Sequence, residues 1–181
     1  IARAYSTFAN NGVRHEPFIV TTVTDRDGNV IYNGGDAGTQ EFDAQVTADA
    51  TYAMTRVIRE GSGSRVDVLG RPIAGKTGTS NDNRSAWFVG YIPQMVTVVA
   101  MYETDEAGNE APLTNVGGGR GITGSTFPAT VWRDDRRVAT DDMEVEQFPE
   151  RSRGARDSLD REEPLRRPAP SRRPAPAPAP S

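Results

Sequence analysis

The sequence predicts an α/β chain of the segregated, α+β kind: an antiparallel sheet of about five strands covered by helices, followed by a disordered tail. Three observations predict it. Runs rich in β-branched and aromatic residues, at 18–24, 30–32, 72–79, 86–92 and 95–102, are separated by turn residues. Segments at 1–11, at 48–59 and from 125 onward instead carry apolar residues at three-to-four spacing. Beyond about residue 138 the apolar pattern fades, first into an acidic stretch and then into Arg/Pro/Ala-rich sequence. The predicted organisation is therefore one domain over 1–138 and a tail over 139–181.

The elements follow in order. Ile1, Tyr5 and Phe8/Ala9 form one stripe of a helix that opens without an N-cap, and Asn11-Gly12 ends it as a left-handed cap would. A chain that starts in mid-helix reads as the back part of something larger. Pro17 introduces the strand at 18–24, and Asp25-Arg26-Asp27-Gly28-Asn29 turns it into Val30-Ile31-Tyr32. The Asp-x-Asp spacing touches on calcium chemistry, but a calcium loop places its Gly one position later and needs a distant Glu, so a plain turn is expected. Thr47 is the expected N-cap of the helix at 48–59, with Arg56 and Arg59 in the last turn, where the helix dipole favours cations. Gly61-Ser62-Gly63-Ser64 stops it. Pro93-Gln94 separates the strands at 86–92 and 95–102 and predicts a tight hairpin. Residues 103–121 read as a polar, glycine-rich loop, and Pro128 sits in the first turn of the last helix.

Composition excludes several classes. There is no cysteine, hence no disulfide framework and no thiolate metal site. No run reaches the roughly 20 apolar residues that cross a bilayer, so no membrane segment is expected in this chain. The net charge of −4 hides an asymmetry, since residues 151–181 hold eight Arg against four acids. No cofactor, metal or nucleic-acid partner is indicated; a partner, polyanion or cell-wall surface for the basic tail is the sharper alternative to a solvated one.

Of the 21 basic residues 20 are arginines, and the one lysine is Lys76, between two glycines and followed by hydroxyls. Two mechanisms claim it. Residues 70–77 satisfy the P-loop pattern G-x-x-x-x-G-K-[ST] at every position. A P-loop lysine must open a helix, because the helix N-terminus holds the phosphates; here Gly78-Thr79-Ser80-Asn81-Asp82-Asn83 is turn chemistry leading into a strand. The second mechanism is acyl transfer on a strand edge. In an extended strand Lys76 and Gly78 share one face and Thr77 and Thr79 the other. Two hydroxyls can receive a carboxylate, the lysine supplies positive potential, and the Thr79 N–H can donate to a developing oxyanion. Whether residues 78–88 form a helix or a turn and strand decides between the two.

Lys76-Thr77-Gly78-Thr79 resembles the K-T-G-T box of penicillin-binding proteins, whose other boxes are S-x-x-K and S-x-N. Residues 4–12, Gly61-Ser62-Gly63, residues 74–79 and Ala86-Trp87-Phe88-Val89-Gly90-Tyr91 are similar to family segments in the same order. Residues 124–134 resemble the closing helix of the bifunctional, class A type, so the likeness covers about residues 1–134. The resemblance implies the C-terminal part of a β-lactamase/transpeptidase-like fold in a serine-type D,D-transpeptidase, an acyltransferase that cross-links peptidoglycan during cell-wall synthesis. Its partners would be the D-alanyl-D-alanine end of a stem peptide, β-lactams, and the remainder of a parent penicillin-binding protein. Its place would be the extracytoplasmic face of a bacterial membrane, anchored through an upstream segment. Carried over to this sequence, Lys76 would be accessory to catalysis and reach the second box across the cleft. The Thr77 and Thr79 hydroxyls would bind the substrate carboxylate, Gly78 would permit close approach, and the Thr79 N–H would join the oxyanion hole.

The chain lacks the rest of that machinery. Ile73 stands three residues before Lys76, so there is no S-x-x-K, and no Ser-x-Asn occurs. Ser80 and Ser85 lie near the box without an obvious base, and the lone His15 reads as an exposed spacer. Ser85 stands where the family usually has an acid, and Asp135-Arg136-Arg137 where an apolar helix is expected to continue. The nucleophile and its lysine are expected upstream, and the 181 residues alone are expected to be inactive and marginally stable. The readings to be weighed are thus a transpeptidase part, a P-loop nucleotide binder over 70–77, and a non-catalytic cell-wall-binding module.

Overall fold

The computed structural model describes residues 1–67, 69–114 and 121–152. The expected tail beyond 152 lies outside the described residues. Three helices, α1 (Ala2–Ala9), α2 (Ala44–Arg59) and α3 (Phe127–Ala139), pack around a four-stranded antiparallel sheet. Its strands are β5 (Ala74–Thr79), β6 (Ser85–Ile92), β7 (Met95–Thr104) and β8 (Glu110–Ala111), in that spatial order. Two shorter pairs complete the fold: β1 (Val13–Arg14) with β4 (Thr39–Gln40), and β2 (Thr22–Thr24) with β3 (Val30–Asn33).

The sheet is thus smaller than expected, because the hairpin at 22–33 does not join it. Every residue of β2 and β3 is exposed, and among the described residues no further strand pairs with them. The segment at 18–20, expected as strand, is not one: the Phe18 ring instead lies over Gly34 and Gly35. The sheet gains β8 in exchange, and the polar loop expected at 103–121 is in part a second hairpin. Asp105 makes it: its Oδ1 accepts from the Ala107 and Asn109 N–H groups, and its own N–H donates to the Asn109 carbonyl. The Asp25 turn has the same bonds, from Asp27 and Asn29, with Asn29 Nδ2 on Oδ2. Both carboxylates are occupied in closing turns, which is why they are held below the usual carboxylate range.

The pleat sends alternate side chains of β6 to opposite faces. Phe88 and Ile92 meet Ile58, Val66, Ile73, Ala129 and Trp132 in the main core, with Met95, Val99 and Met143 at its rim. The Trp132 indole stands edge-on to Phe88, centroids 5.5 Å apart, and its Nε1–H donates to the Gly90 carbonyl at 3.1 Å. Gly90 is required there, because a Cβ would lie 2.6 Å from the indole. On the other face Tyr91 meets Tyr5 of α1 edge-on, and its hydroxyl pairs with Thr51 of α2 at 2.9 Å. Burial pushes the Tyr91 hydroxyl up to about 12.

The caps fall partly where expected. Asn11 and Gly12 have φ of 53° and 88°, and a Cβ on Gly12 would sit 2.1 Å from the Phe42 carbonyl oxygen, so the left-handed exit from α1 needs glycine. The N-cap of α2 is Asp43, whose side chain accepts from the Gln45 N–H, and not Thr47. Thr47 is buried one turn inside the helix and donates back to the Ala44 carbonyl. The Pro93-Gln94 loop closes β6 onto β7 as a two-residue turn, with Ile92 opposite Met95. Helix α3 continues through Asp135-Arg136-Arg137: Arg136 is buried with its guanidinium on Asp135 and beside Met95.

Packing does not stop with α3. Arg71 Nη2 donates to the Thr140 and Met143 carbonyls, and Gln94 Nε2 to that of Glu144. Phe148 stands edge-on to Tyr91, Arg151 lies over the Tyr52 ring at 4.1 Å, and the Ser152 N–H donates to Asp49 at 2.8 Å. Residues 140–152, whose sequence carries no apolar periodicity, therefore form a strap across the sheet end and α2.

Candidate functional site

Strand β5 is the end strand of the sheet, and the four residues singled out lie on it in one extended run. Opposite them on β6 stand Val89 for Lys76, Phe88 for Thr77, Trp87 for Gly78 and Ala86 for Thr79. The strand begins buried, at Ala74 and Gly75, and emerges at Lys76. The local cause is Ile58 of α2: its Cδ1 would be 3.2 Å from a Cβ on Gly75, and the Val89 carbonyl only 2.7 Å, so small residues let the strand dive under the helix. Beyond that point α2 has ended, and among the described residues no strand pairs with the outer edge of β5.

The lysine ammonium is exposed and donates to the Thr77 carbonyl at 2.8 Å. Each threonine hydroxyl has a partner behind it. Thr77 Oγ1 lies 2.7 Å from the Ser62 hydroxyl, carried on the turn that ends α2. Thr79 Oγ1 accepts the Gly124 N–H at 3.1 Å, from the turn that opens α3. Gly124 fits against the strand because it has no side chain; a Cβ would lie 2.2 Å from the Trp87 carbonyl oxygen and within 2.8 Å of the Gly78 backbone. The sequence assigns no role to Ser62 or Gly124, which lie within the longer segments 61–63 and 124–134. Nothing in their spacing from Lys76 signals the contact; the turn after α2 and the turn before α3 bring them to neighbouring positions of β5.

Behind Thr79 a second small core of Ala86, Leu113 and Ile122, with Met101 against it, supports this end of the sheet. The Leu113 N–H donates to the Asn83 carbonyl, and Arg84 donates to that of Glu110. Ser80 and Ser85 are used in the β5–β6 turn itself, the Ser85 N–H donating to Ser80 Oγ at 2.8 Å. His15 pairs with Asp36 at 2.6 Å, away from β5, and so is tied to a surface carboxylate.

The chain after Lys76 runs on as strand to Thr79, through one short turn at Asn81–Asn83, and into β6. No helix opens at the lysine. The P-loop reading of 70–77 is thereby overturned, because phosphate binding there depends on the free N–H groups of a helix N-terminus. Among the described residues no cluster of three metal-ligating side chains occurs, and no helix is long and apolar enough to cross a membrane.

Lys-Thr-Gly-Thr thus lies on the end strand of an antiparallel sheet packed against helices. The chain belongs to the penicillin-binding protein transpeptidase family, whose transpeptidase domain matches residues 1–117. It is 35% identical over 156 residues to penicillin-binding protein 1A of Mycolicibacterium smegmatis and 37% identical over 145 residues to that of Neisseria gonorrhoeae. These alignments take in 82% and 77% of this chain but only 19% and 17% of the relatives, so the chain spans less than a fifth of their length. Its fold is similar to that of the penicillin-binding protein PonA1 from Mycobacterium tuberculosis, with a TM-score of 0.73 and 29% identity over 83% of this chain and 40% of that one. A second structure of that relative, in complex with penicillin V, matches with a TM-score of 0.71.

Proposed function

We propose that this chain supplies one wall of a D,D-transpeptidase active site, the strand that anchors the substrate, while a serine-bearing part outside this sequence supplies the opposite wall. In that reaction a serine hydroxyl attacks the carbonyl joining the last two D-alanines of a stem peptide. The terminal D-alanine leaves, and the resulting ester is passed to an amine of a neighbouring stem. β-Lactams enter the same first step and stay as the acyl-enzyme. Thr77 and Thr79 hold the carboxylate of the leaving D-alanine or of the β-lactam, and Lys76 supplies the positive field that draws this anion to the edge. The Thr79 N–H donates to the oxyanion as the tetrahedral intermediate forms. Reaction takes place on the extracytoplasmic side of the membrane, where the wall is built.

One observation carries this reading: on an open end strand, both threonine hydroxyls are held from behind while the lysine stays exposed. The likeness to a relative whose structure is in complex with penicillin V supports it. The test is labelling with a fluorescent penicillin. The natural polypeptide that contains these residues and a serine-bearing part becomes covalently labelled, and the 181 residues alone do not. Lys76→Ala in that polypeptide lowers the acylation rate about ten- to hundredfold, the range for losing a hydrogen-bonded charge. Labelling of the 181 residues themselves would sink the two-wall picture. Failure of the whole polypeptide to label would leave a non-catalytic wall-binding module.

A further inference from the structure

We propose that Ser62 and Gly124 are positioning residues that orient the Thr77 and Thr79 hydroxyls as a matched pair of proton donors to one carboxylate. This rests on the transpeptidase reading and specifies how its anion subsite is set.

A hydroxyl has one proton to give and two lone pairs to receive with, whereas an ionised carboxylate can only accept. A threonine binds a carboxylate well only if its single proton points at the ligand. At Thr79 the direction follows from the donor: a backbone N–H can only donate, so the Gly124 N–H occupies a lone pair of Thr79 Oγ1 and leaves the proton free. At Thr77 the partner is another hydroxyl, Ser62 Oγ at 2.7 Å, and either one can be the donor. A bound carboxylate settles it. Thr77 turns its proton to the anion, and Ser62 then donates to Thr77 Oγ1, so that charge on the ligand runs back through two hydroxyls.

The spacing fits one ligand. Thr77 and Thr79 are two residues apart on one face of the strand, about 6.7 Å, which a carboxylate spans with an O–H···O bond of about 2.7 Å to each oxygen. The two helpers are also fixed by independent elements. Ser62 rides on the turn after α2, which lies against β5, and its neighbour Gly63 is buried under Ile58. Gly124 is wedged against the Trp87 and Gly78 backbone, with no room for a side chain. Ser62 is exposed and forms no part of either core cluster, so its hydroxyl is the feature the site would lose on substitution.

The test uses the natural polypeptide carrying this chain and its serine-bearing part, with penicillin and the same penicillin as its carboxylate methyl ester. Non-covalent affinity and the acylation rate constant are measured separately in rapid-mixing experiments. Ser62→Ala is expected to weaken binding of the free acid about fivefold to tenfold, in line with loss of a hydrogen bond that supports a charged ligand. The ester is expected to change less than about twofold, since it presents no ionised group. Ser62→Thr restores acid binding. In a Thr77→Val background Ser62→Ala adds nothing, because its effect passes through the Thr77 hydroxyl. Equal losses for acid and ester, or a full Ser62→Ala effect in the Thr77→Val background, would overturn the positioning role while wild-type labelling leaves the transpeptidase reading standing. Absence of wild-type labelling would overturn both.

Discussion

The two principal hairpins of this molecule, β2–β3 and β6–β7, are built from similar residues and meet opposite fates. Both are antiparallel, both alternate β-branched and aromatic residues, and both close on short turns. In β6 Phe88, Tyr91 and Ile92 are fully buried. Around the first hairpin Ile19 is 100% exposed and Ile31 67%. The difference lies in what the chain places over each one. Helix α3 covers one face of β6 and α1 the other, whereas nothing among the described residues covers β2–β3. A two-stranded ribbon is marginal on its own, and a strand's apolar alternation becomes burial only when a second layer is supplied.

The largest expected effect tests the covered side. Trp132→Ala removes the fully buried indole from Phe88 and leaves the Gly90 carbonyl without its donor, for a loss of about 3–5 kcal/mol. Urea unfolding of this chain should show it as a lower midpoint with an unchanged slope. A loss under 1 kcal/mol, roughly that of a surface site, would mean that α3 does not close the core.

Tyr91 tests the same sheet from its other face. Its hydroxyl is raised, chiefly by burial and against the opposing bond from Thr51, to about 12 from an unfolded value of about 10. The folded chain therefore keeps a proton that the unfolded chain releases. Stability from this group is complete below about pH 10 and is lost as pH rises toward the folded value, by about 3 kcal/mol in all. Denaturant midpoints measured at intervals from pH 9 to 12 should fall for the wild type and fall less for Tyr91→Phe. Identical slopes would place the tyrosine in water.

The smallest effect belongs to the open hairpin. Ile31→Thr in the 181 residues should change stability by less than about 0.5 kcal/mol, the usual range for an exposed site. A loss above about 2 kcal/mol, measured the same way, would show the hairpin buried and end the comparison.

The sequence made some of this legible and hid the rest for physical reasons. Pro93-Gln94 forces a two-residue turn locally, so the β6–β7 pairing could be read directly. Lys76 could be put on a strand because the residues after it favour a turn over a helix. The N-cap of α2 is ambiguous in sequence because Asp43 and Thr47 can both cap, and only Asp43 stands outside the helix. The β7–β8 hairpin carries its own signal, since Asp105-Glu106-Ala107-Gly108-Asn109 repeats the Asp-x-x-Gly-Asn pattern of the turn at 25–29, but the polar, glycine-rich sequence around it reads as loop. Pairing in the sheet is non-local, so nothing in residues 22–33 tells whether their strands join it. The strap at 140–152 was invisible for a related reason: Phe148 and Arg151 dock singly on Tyr91 and Tyr52, with no period to detect.

The solitary lysine has a use of its own in the laboratory. An endopeptidase specific for lysine finds a single target bond in these 181 residues, Lys76-Thr77, in the middle of β5. A protease must pull several residues of backbone out of a sheet before it can cut. The rate of that one cleavage therefore reports how often the end strand detaches from β6. Measured with and without the opposite wall in place, it would time the opening of the substrate-anchoring edge without any added label.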